Sequence, residues 1–332
     1  MATVRDPWLD NTKLILVTLV VTGHAWTLLP GTLLTSWPYD FLYTWHIPAF
    51  VVVTGYLSRS FRWTRKRMWA LVRTVAVPYV LFELALAWFR VSVGGENLER
   101  LVLNPHWPMW YLAAMFMWRL ITPILLYPPA WLTLVGSVLI SLTAGVWAGE
   151  TLDISRTLGL LPFFVIGLRT DAKQLDWLRR PNSWWIGLVG FSVIGWFTWE
   201  LDRWFPTEWL YYRRTYAMLD ADLLQGSLIR LVLLALGVMG TVAVLSLIPR
   251  GTTWFTPLGK ATLEVYLFHP FVVLAASYAG YEAWAAGHLG WAMVLTPIAA
   301  VSLALFLASP PVASVLNRAV DPFGALERRK QR

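Results

Sequence analysis

Cysteine is absent from this chain of 332 residues, and charged residues make up only 14% of it. The lack of cysteine excludes disulfides, thiolate metal sites and a covalent thioester on the protein itself. Soluble domains carry more charge, at about a quarter of their residues. Hydrophobic residues account for 57% of the sequence, and this composition is typical of a membrane protein rather than a soluble enzyme.

Several motifs of known enzyme classes are missing as well. The chain has no Gly-x-Ser-x-Gly nucleophile elbow, no Walker loop and no Gly-x-Gly-x-x-Gly fingerprint. It has no His-Glu-x-x-His helix, and its five histidines and scattered carboxylates form no ligand pattern. We therefore expect neither a metal site nor a bound cofactor.

Apolar runs near the length that spans a bilayer, about 20 residues, recur along the chain. We predict an all-α polytopic protein, a bundle of about ten transmembrane helices in the cell membrane. The predicted spans cover approximately residues 14–34, 40–58, 68–91, 107–127, 130–148, 156–169, 183–200, 225–248, 258–279 and 290–308.

Lysine and arginine set the predicted orientation. Basic residues are dense in the 59–67 loop, near residues 173–180 and after the last span, whereas the other side holds few of them: Arg100, Arg203, Arg213 and Arg214. The positive-inside rule then places both termini in the cytoplasm. We predict a transmembrane domain over residues 1–310 and a basic cytoplasmic tail over residues 311–332. The net charge of +8 is explained by these segments, so no nucleic-acid partner is expected.

The first span contains a lysine and a histidine whose spacing is typical of side chains on one face of a helix. Ten residues separate Lys13 from His24, so about three helical turns put both side chains on nearly one face. The same steps rise about 16 Å, near half of a hydrocarbon core of about 30 Å. His24 would then lie near mid-bilayer, where an ionisable group needs a polar partner, a cavity or a substrate.

Other ionisable residues lie inside predicted spans. His46 occurs in the second span, and His269 lies about eleven residues into the ninth, with Tyr266 on the same helical face. His24 and His269 thus lie at similar depth on different helices, which is more than chance packing would produce, but this alone does not fix a chemistry. The simpler interpretation is that a buried histidine only bonds a neighbouring helix.

Arg119 and the longest loop leave two interpretations open. Arg119 could hold an anion or snorkel to the surface, and Glu83 is one partner it could take. The 201–224 loop mixes charges with aromatics, which suits contact with a sugar or a head group. A solvated loop explains the same composition equally well.

These segments resemble the acyltransferase-3 family of multi-span membrane O-acyltransferases, including sugar O-acetylases of the fucose-4-O-acetylase type. The most specific match is the first span, where Lys13 and His24 follow Asp10 and Asn11. The next is the 45–50 segment WHIPAF leading to the 54–56 segment TGY, in which Thr54 replaces the usual serine. Softer matches are the 110–112, 160–167 and 258–269 segments.

The resemblance implies acyl-CoA, usually acetyl-CoA, as the donor substrate, approached from the cytoplasm. The acceptor it implies is a hydroxyl of a sugar, glycan or glycolipid. Many relatives carry a C-terminal esterase-like domain, which we expect this chain to lack. Whether the acyl group passes directly to the acceptor or to a separate partner protein stays open.

Joined to the chemistry of acyl transfer, the resemblance suggests roles for the first span. Removing the hydroxyl proton needs a base, and histidine is the usual one. We expect His24 to be this base, Lys13 to attract the donor or hold the entrance, and Asp10 to orient nearby groups. Second-rank candidates for acceptor positioning or proton relay are His46, His269, Tyr266 and Arg119.

Donor binding is predicted in the basic loop between the second and third spans. Coenzyme A is polyanionic, and arginine binds phosphate with two parallel hydrogen bonds. The candidates are Arg59, Arg62, Arg65 and Arg67. The competing interpretation is that these residues only enforce topology, since positive-inside charge would occur there regardless.

Two other functions fit the same spans. A secondary transporter could also bury histidines and a proline-broken helix, but it would predict inverted halves that the sequence does not show. A non-catalytic component of a glycan-assembly complex would tolerate His24→Ala. Acyl transfer in the presence of acyl-CoA separates both from the enzyme.

Overall fold

The computed structural model describes residues 5–98, 105–149 and 151–325, and these ranges are helical without a strand. The helices are α1 (Pro7–Trp26), α2 (Leu33–Ser58), α3 (Arg65–Ser92), α4 (Trp110–Leu126), α5 (Ala130–Trp147), α6 (Ile154–Gly159), α7 (Leu161–Arg169), α8 (Ala172–Leu178), α9 (Trp184–Trp199), α10 (Leu223–Leu247), α11 (Thr262–Tyr278), α12 (Tyr281–Gly287), α13 (Leu289–Ala308) and α14 (Pro310–Val320). A π-helical turn at Val72–Ala76 interrupts α3. Arg100 and the basic residues of the tail after residue 325 lie outside the described residues.

The all-α, multi-pass membrane class is confirmed. Among the described residues, four helices are long and apolar enough to cross a membrane, namely α3, α5, α10 and α13. The number rises to six if each of two bent pairs forms one span. The first pair ends in α7 and bends by 54°, and the second joins α11 to α12 at 63°. The count of about ten spans and the cytoplasmic termini stay predictions.

The first helix begins earlier than the predicted span of 14–34. Asp6 caps it, because its Oδ1 accepts a hydrogen bond of 3.0 Å from the backbone N–H of Trp8. Pro7 occupies the first turn, where its missing N–H costs nothing. Hydropathy placed the start too late because it does not weigh such capping chemistry, and α1 ends at Trp26.

Helices α1 and α2 are consecutive and define two ends of the bundle. The N-terminal face carries the start of α1, the end of α2 and the start of α3. The opposite face carries the end of α1, the start of α2 and the 201–222 segment. This segment is tied to α2 by hydrogen bonds from Thr207 Oγ1 to Asp40 Oδ1 at 2.8 Å and between the Tyr39 and Tyr211 hydroxyls at 2.9 Å.

At the N-terminal face, Asn11 fastens α1 to the 249–256 segment. Its Nδ2 donates to the carbonyls of Pro249 and Gly251, at 2.9 and 3.1 Å. Its Oδ1 accepts from Thr256 Oγ1 at 2.7 Å. Both N–H donors and the oxygen of the Asn11 side chain thereby have partners in a buried position, which fixes the height of α1 in the bundle.

The predicted tail begins as a helix that packs back on the bundle. In α14, Asn317 Nδ2 donates to Glu264 Oε1 of α11 at 2.7 Å. Just beyond it, the Asp321 carboxylate pairs with Arg73 of α3 at 2.7 Å. The first part of the 311–332 segment is therefore anchored to two helices.

Two glycines let α2 and α7 approach closely. A methyl group added to Gly55 would meet the carbonyl oxygen of Phe164, and one added to Gly167 would meet that of Val52. Small residues at such crossings allow backbones to touch, which is how helices associate where water provides no driving force. This crossing holds the C-terminal part of α2, the helix that also supplies part of the wall of the site described below.

Gly167→Ala is expected to lower the thermal unfolding midpoint by about 3–10 °C, because α2 must move away from α7. The matched control is Gly136→Ala in α5, where nothing lies within 4 Å of an added methyl group. The control should unfold at the same temperature or slightly higher, since alanine favours helix more than glycine. Equal midpoints for both variants would contradict the close crossing.

Candidate functional site

Two buried histidines from different helices form a hydrogen-bonded pair. Nδ1 of His24, near the end of α1, lies 2.8 Å from Nε2 of His269 in α11. The two side chains are only 5% and 0% exposed. The structure thus joins two residues that the sequence placed at similar depth on separate helices.

The neighbours of this pair determine where its protons lie. His269 Nδ1 is 3.0 Å from the carbonyl oxygen of Val265, which can only accept, so His269 Nδ1 carries a proton. In the neutral pair His269 Nε2 is then an acceptor, and His24 Nδ1 must donate to it. It follows that His24 Nε2 is left unprotonated, with its lone pair available.

His24 forms part of the wall of a cavity of about 360 Å³ at the opposite face. Aromatic side chains supply much of the remaining wall: Tyr39, Tyr43, Trp107, Trp110 and Tyr211. The Trp107 ring lies 4.3 Å from the His24 ring, centre to centre. Charged side chains complete the lining: Arg156, Glu208, Arg213 and Arg214. We refer to this space as the opposite-face cavity, and its volume falls in the range of about 300–1,000 Å³ typical of ligand sites.

Tyr211 lies outside the helical spans, in the Thr207–Tyr211 turn, and closes one side of the opposite-face cavity. Burial raises the pKa of its hydroxyl, so it stays protonated near neutral pH. A protonated Tyr211 keeps its hydrogen bond with Tyr39 and thereby holds the 207–211 turn against α2.

A second, small cavity of about 20 Å³ continues from His24 towards the N-terminal face. Tyr111 and Tyr266 line it together with His24. The Tyr266 hydroxyl donates to the carbonyl of Pro108, and the Tyr111 hydroxyl is hydrogen-bonded to Thr54 Oγ1. Tyr266 is therefore brought to His24 as well as to His269, and Thr54 of the TGY segment closes the far end.

A third cavity of about 230 Å³ lies at the N-terminal face and is called the N-face cavity here. Its polar lining comes from Ser58, Ser60, Arg67, Thr74 and Arg119. Arg119 Nε donates to Ser58 Oγ at 3.2 Å. Arg119 thus lies in the N-face cavity and does not line either cavity at His24.

The four arginines proposed for donor binding have different surroundings. Arg59 is committed to the protein, since its Nε and Nη1 donate to the carbonyls of Tyr56 and Thr170, each at 2.9 Å. Arg62 is exposed and donates to the carbonyl of Arg59 at 3.0 Å. Arg65 is exposed, and Arg67 lines the N-face cavity. Geometry therefore favours Arg67 over Arg59 as a ligand for a phosphate.

Lys13 and Asp10 lie at the N-terminal face and not beside His24. Lys13 Nζ is 2.8 Å from Asp10 Oδ1, and Arg5 Nε is 2.7 Å from Asp10 Oδ2. The helical rise from Lys13 to His24 is about 16 Å. Their proposed roles, in attracting the donor and in orientation, stay predictions.

His46 is completely buried in α2, with its Nδ1 donating to the carbonyl of Leu42 at 2.7 Å. Its Nε2 has no hydrogen-bond partner among the described residues. The ring packs edge-on against Tyr43 with centres 4.7 Å apart, so His46 stands behind the wall of the opposite-face cavity. In the described ranges, no three or more histidine or carboxylate side chains are placed to hold a metal ion.

Glu83 pairs with a histidine instead of with Arg119. Its Oε1 accepts from the backbone N–H of His106 at 2.9 Å and from His106 Nδ1 at 2.5 Å. Both side chains are buried. The pair anchors the segment that leads into Trp107, which contacts His24. Sequence alone could not find this contact, because it depends on how α3 packs.

Arg156 is a site residue that sequence reasoning missed. It lies in the short helix α6 and lines the opposite-face cavity, and its guanidinium carbon is 5.1 Å from the ring centre of Trp110. In the sequence, Arg156 is the first residue of the predicted sixth span, and this position could have identified it. An ionisable residue at such a position is a candidate for function.

Comparison with known protein families gave one finding. A family model described as an acyltransferase domain matches residues 6–311. The match covers most of the chain and includes every residue that lines the three cavities. The comparison with curated proteins and the comparison with solved structures each found no match to this chain.

Proposed function

From the membership of this chain in the acyltransferase-3 family, we propose that it moves an acyl group from acyl-CoA to a hydroxyl of a sugar, glycan or glycolipid. The family makes the protein a membrane-embedded acyltransferase. The donor, the acceptor and the base are the proposal. The observation that carries it is the unprotonated Nε2 of His24 at the junction of two cavities.

His24 Nε2 acts as the general base. It takes the proton of the acceptor hydroxyl while the hydroxyl oxygen attacks the thioester carbonyl. The positive charge that develops on His24 is shared through Nδ1 with His269 Nε2, 2.8 Å away. His269 therefore fixes the orientation of the base and stabilises its charged form, as the third member of a catalytic triad does.

The proton then returns to the leaving group. As the acyl carbon–sulfur bond breaks and the new carbon–oxygen bond is complete, Nε2 of His24 protonates the departing sulfur. The products are an ester and free coenzyme A, so atoms and charges balance. The carbonyl oxygen that becomes negative needs donors in a site that excludes water. We assign this role to the indole N–H groups of Trp107, whose ring centre lies 4.3 Å from that of His24, and of Trp110, which lines the same cavity.

The N-face cavity is the proposed entrance for the donor. Two arginines and three hydroxyl side chains line its 230 Å³, which suits the phosphates of coenzyme A. This face is the cytoplasmic one under the positive-inside rule. Acyl-CoA would therefore bind from the cytoplasm, and the acceptor would occupy the opposite-face cavity.

A line of polar groups runs from the N-face cavity towards His24. Arg119 Nε donates to Ser58 Oγ at 3.2 Å, and Ser58 Oγ donates to the carbonyl of Thr54 at 2.7 Å. Thr54 Oγ1 is hydrogen-bonded to Tyr111, which borders the small cavity at His24. We propose that the acyl-bearing arm of the donor follows this line, with opening of the contact between Thr54 and Tyr111.

Arg67→Gln is expected to raise the KM for acyl-CoA by about tenfold, because one charge-assisted contact to phosphate is lost, while kcat stays nearly unchanged. The matched control is Arg62→Gln, which removes a nearby exposed arginine, just before α3, that does not line the N-face cavity. Initial rates over a range of acyl-CoA concentrations measure both constants. An equal rise in KM for the two variants would assign the effect to general surface charge.

The proposed function is tested with purified protein in proteoliposomes. Acetyl-CoA is supplied with glycosides, glycans or glycolipids, and free coenzyme A is followed over time. Release that depends on the acceptor supports transfer to a hydroxyl. Release that is independent of every acceptor, or absent with longer acyl-CoAs as well, would contradict the proposed function.

A further inference from the structure

The described lining of the opposite-face cavity contains more arginines than carboxylates. Three arginines line it, Arg156, Arg213 and Arg214, against one carboxylate, Glu208. A second carboxylate, Asp153, lies near two of these arginines, 3.6 Å from Arg156 and 3.8 Å from Arg213. Among the described residues that line or approach the cavity, three arginines face two carboxylates. A neutral sugar would need no buried arginine in a wall that already supplies aromatic faces and hydroxyls.

Arg156 is buried more deeply than Arg213, with 13% of its side chain exposed against 44%. Its Nε is buried and makes no hydrogen bond among the described residues. The 3.6 Å contact with Asp153 is too long for a hydrogen bond. Buried donors are normally satisfied, because leaving them unpaired is costly. The Nε–H of Arg156 is therefore available to an acceptor group that comes from outside the chain, while Asp153 balances its charge.

We propose that the acyl acceptor is an acidic sugar, whose carboxylate or phosphate group binds Arg156 while a nearby hydroxyl faces His24. This inference rests on the proposed function, because it treats the opposite-face cavity as the acceptor site. Arg156 and His24 line the same cavity, so one sugar can meet both. The acyl group still moves from sulfur to the hydroxyl oxygen, and the anionic group is not consumed.

The surroundings of Arg156 favour recognition of a planar or branched oxyanion. Its guanidinium lies over the Trp110 ring at 5.1 Å from the ring centre, which restrains the plane in which its N–H groups point. A restrained guanidinium can donate two parallel hydrogen bonds to a carboxylate or phosphate. Trp110 also lines the small cavity together with His24. The same side chain therefore contacts the guanidinium of Arg156 and borders the space beside the proposed base.

Coenzyme A is the other polyanion in the reaction, but its phosphates have a separate candidate site. Arg67 and Arg119 line the N-face cavity, at the end of α2 that carries Ser58. Arg156 lines the opposite-face cavity with Tyr39, from the start of α2. The two groups of arginines therefore lie at opposite ends of the bundle. Arg156 is at the end assigned to the acceptor and away from the site proposed for the phosphates of coenzyme A.

Equilibrium binding tests the inference without requiring turnover. Isothermal titration calorimetry on the full chain in nanodiscs compares methyl glucoside, methyl glucuronide and glucose 1-phosphate. Wild-type protein should bind at least one acidic sugar about tenfold more tightly than the neutral one. Tighter binding of the glucuronide identifies a carboxylate as the group recognised, and tighter binding of the phosphate identifies a phosphate.

Arg156→Gln should abolish the preference for the acidic sugar, and Arg156→Lys, which keeps the charge beside Asp153, should keep part of it. The control is Arg203→Gln, since Arg203 lies on the same face, is 78% exposed, pairs with Glu200 and does not line the cavity. It should keep the full preference. Thermal unfolding midpoints check that each variant is folded.

Three results would overturn the inference: equal binding of neutral and acidic sugars, no binding of any of them, or a preference that survives Arg156→Gln. The release of coenzyme A in proteoliposomes decides the proposed function separately. Transfer to a neutral glycoside without a preference for acidic ones would refute the acidic acceptor and leave the acyltransferase mechanism intact.

Discussion

Replacing His24 by alanine is expected to slow acyl transfer by about 10²–10⁴-fold, the usual contribution of a positioned general base. The hydroxyl proton then has no acceptor at the junction of the two cavities. The rate is measured as release of coenzyme A that depends on the acceptor. Because the chain contains no cysteine, a thiol-reactive dye reports coenzyme A without background from the protein.

His288→Ala is the matched control for this experiment. His288 is exposed, and its Nδ1 donates to the carbonyl of Trp284, 3.0 Å away in the same part of the chain. It does not line any of the three cavities. Wild-type activity is expected for His288→Ala. A His24→Ala protein with a wild-type unfolding midpoint and a wild-type rate would remove His24 from the mechanism.

His269→Ala is expected to lower kcat by about 10²-fold or more while the KM for acyl-CoA changes little. Without His269 Nε2, His24 Nδ1 loses its acceptor, and the tautomer with a proton on Nε2 becomes accessible. That tautomer cannot accept the hydroxyl proton. A triad that loses its orienting partner shows the same kind of loss.

Rescue by a different side chain separates orientation from packing. His269→Gln restores a carbonyl oxygen that can accept from His24 Nδ1, so it should recover part of the kcat lost in His269→Ala. A purely structural role would lower the unfolding midpoint of both variants and would affect KM and kcat alike. No difference in kcat between the two variants would contradict the orienting role of His269.

The sequence predicts the helical membrane class and draws attention to the two histidines that meet in the candidate site. His24 and His269 stand out because ionisable groups inside apolar runs are costly and are kept for a reason. The spacing of Lys13 and His24, together with the WHIPAF and TGY segments, indicates the family. These features are local in the sequence, so they can be recognised from one sequence alone.

Features that depend on helix packing could not be predicted in the same way. The pairing of His24 with His269 and of Glu83 with His106 joins residues that are far apart in the sequence. The placement of Arg156 at the opposite-face cavity depends on α6 packing against the 207–214 segment. Nothing in the local pattern separates Arg59, which donates to two carbonyls, from Arg67 of the same basic segment, which lines a cavity.

The early start of α1 has a related cause. Hydropathy recognises the apolar part of a span, whereas Asp6 and Pro7 start the helix through hydrogen bonding and a fixed backbone angle. The bends at α6–α7 and α11–α12 are likewise not visible in hydropathy, and each leaves one short helix, α6 or α12. Arg156 is carried on one of these short segments.

The measurement that tests the central claim most directly follows the acyl group itself. Purified wild type, His24→Ala and His288→Ala in proteoliposomes receive acetyl-CoA labelled in the acetyl group together with a glycan and glycolipid extract. The mechanism predicts label on an acceptor with wild type and His288→Ala, and none above background with His24→Ala. Equal labelling by His24→Ala, or no labelling by a well-folded wild type, would contradict His24 as the base of an acyl transfer to a hydroxyl.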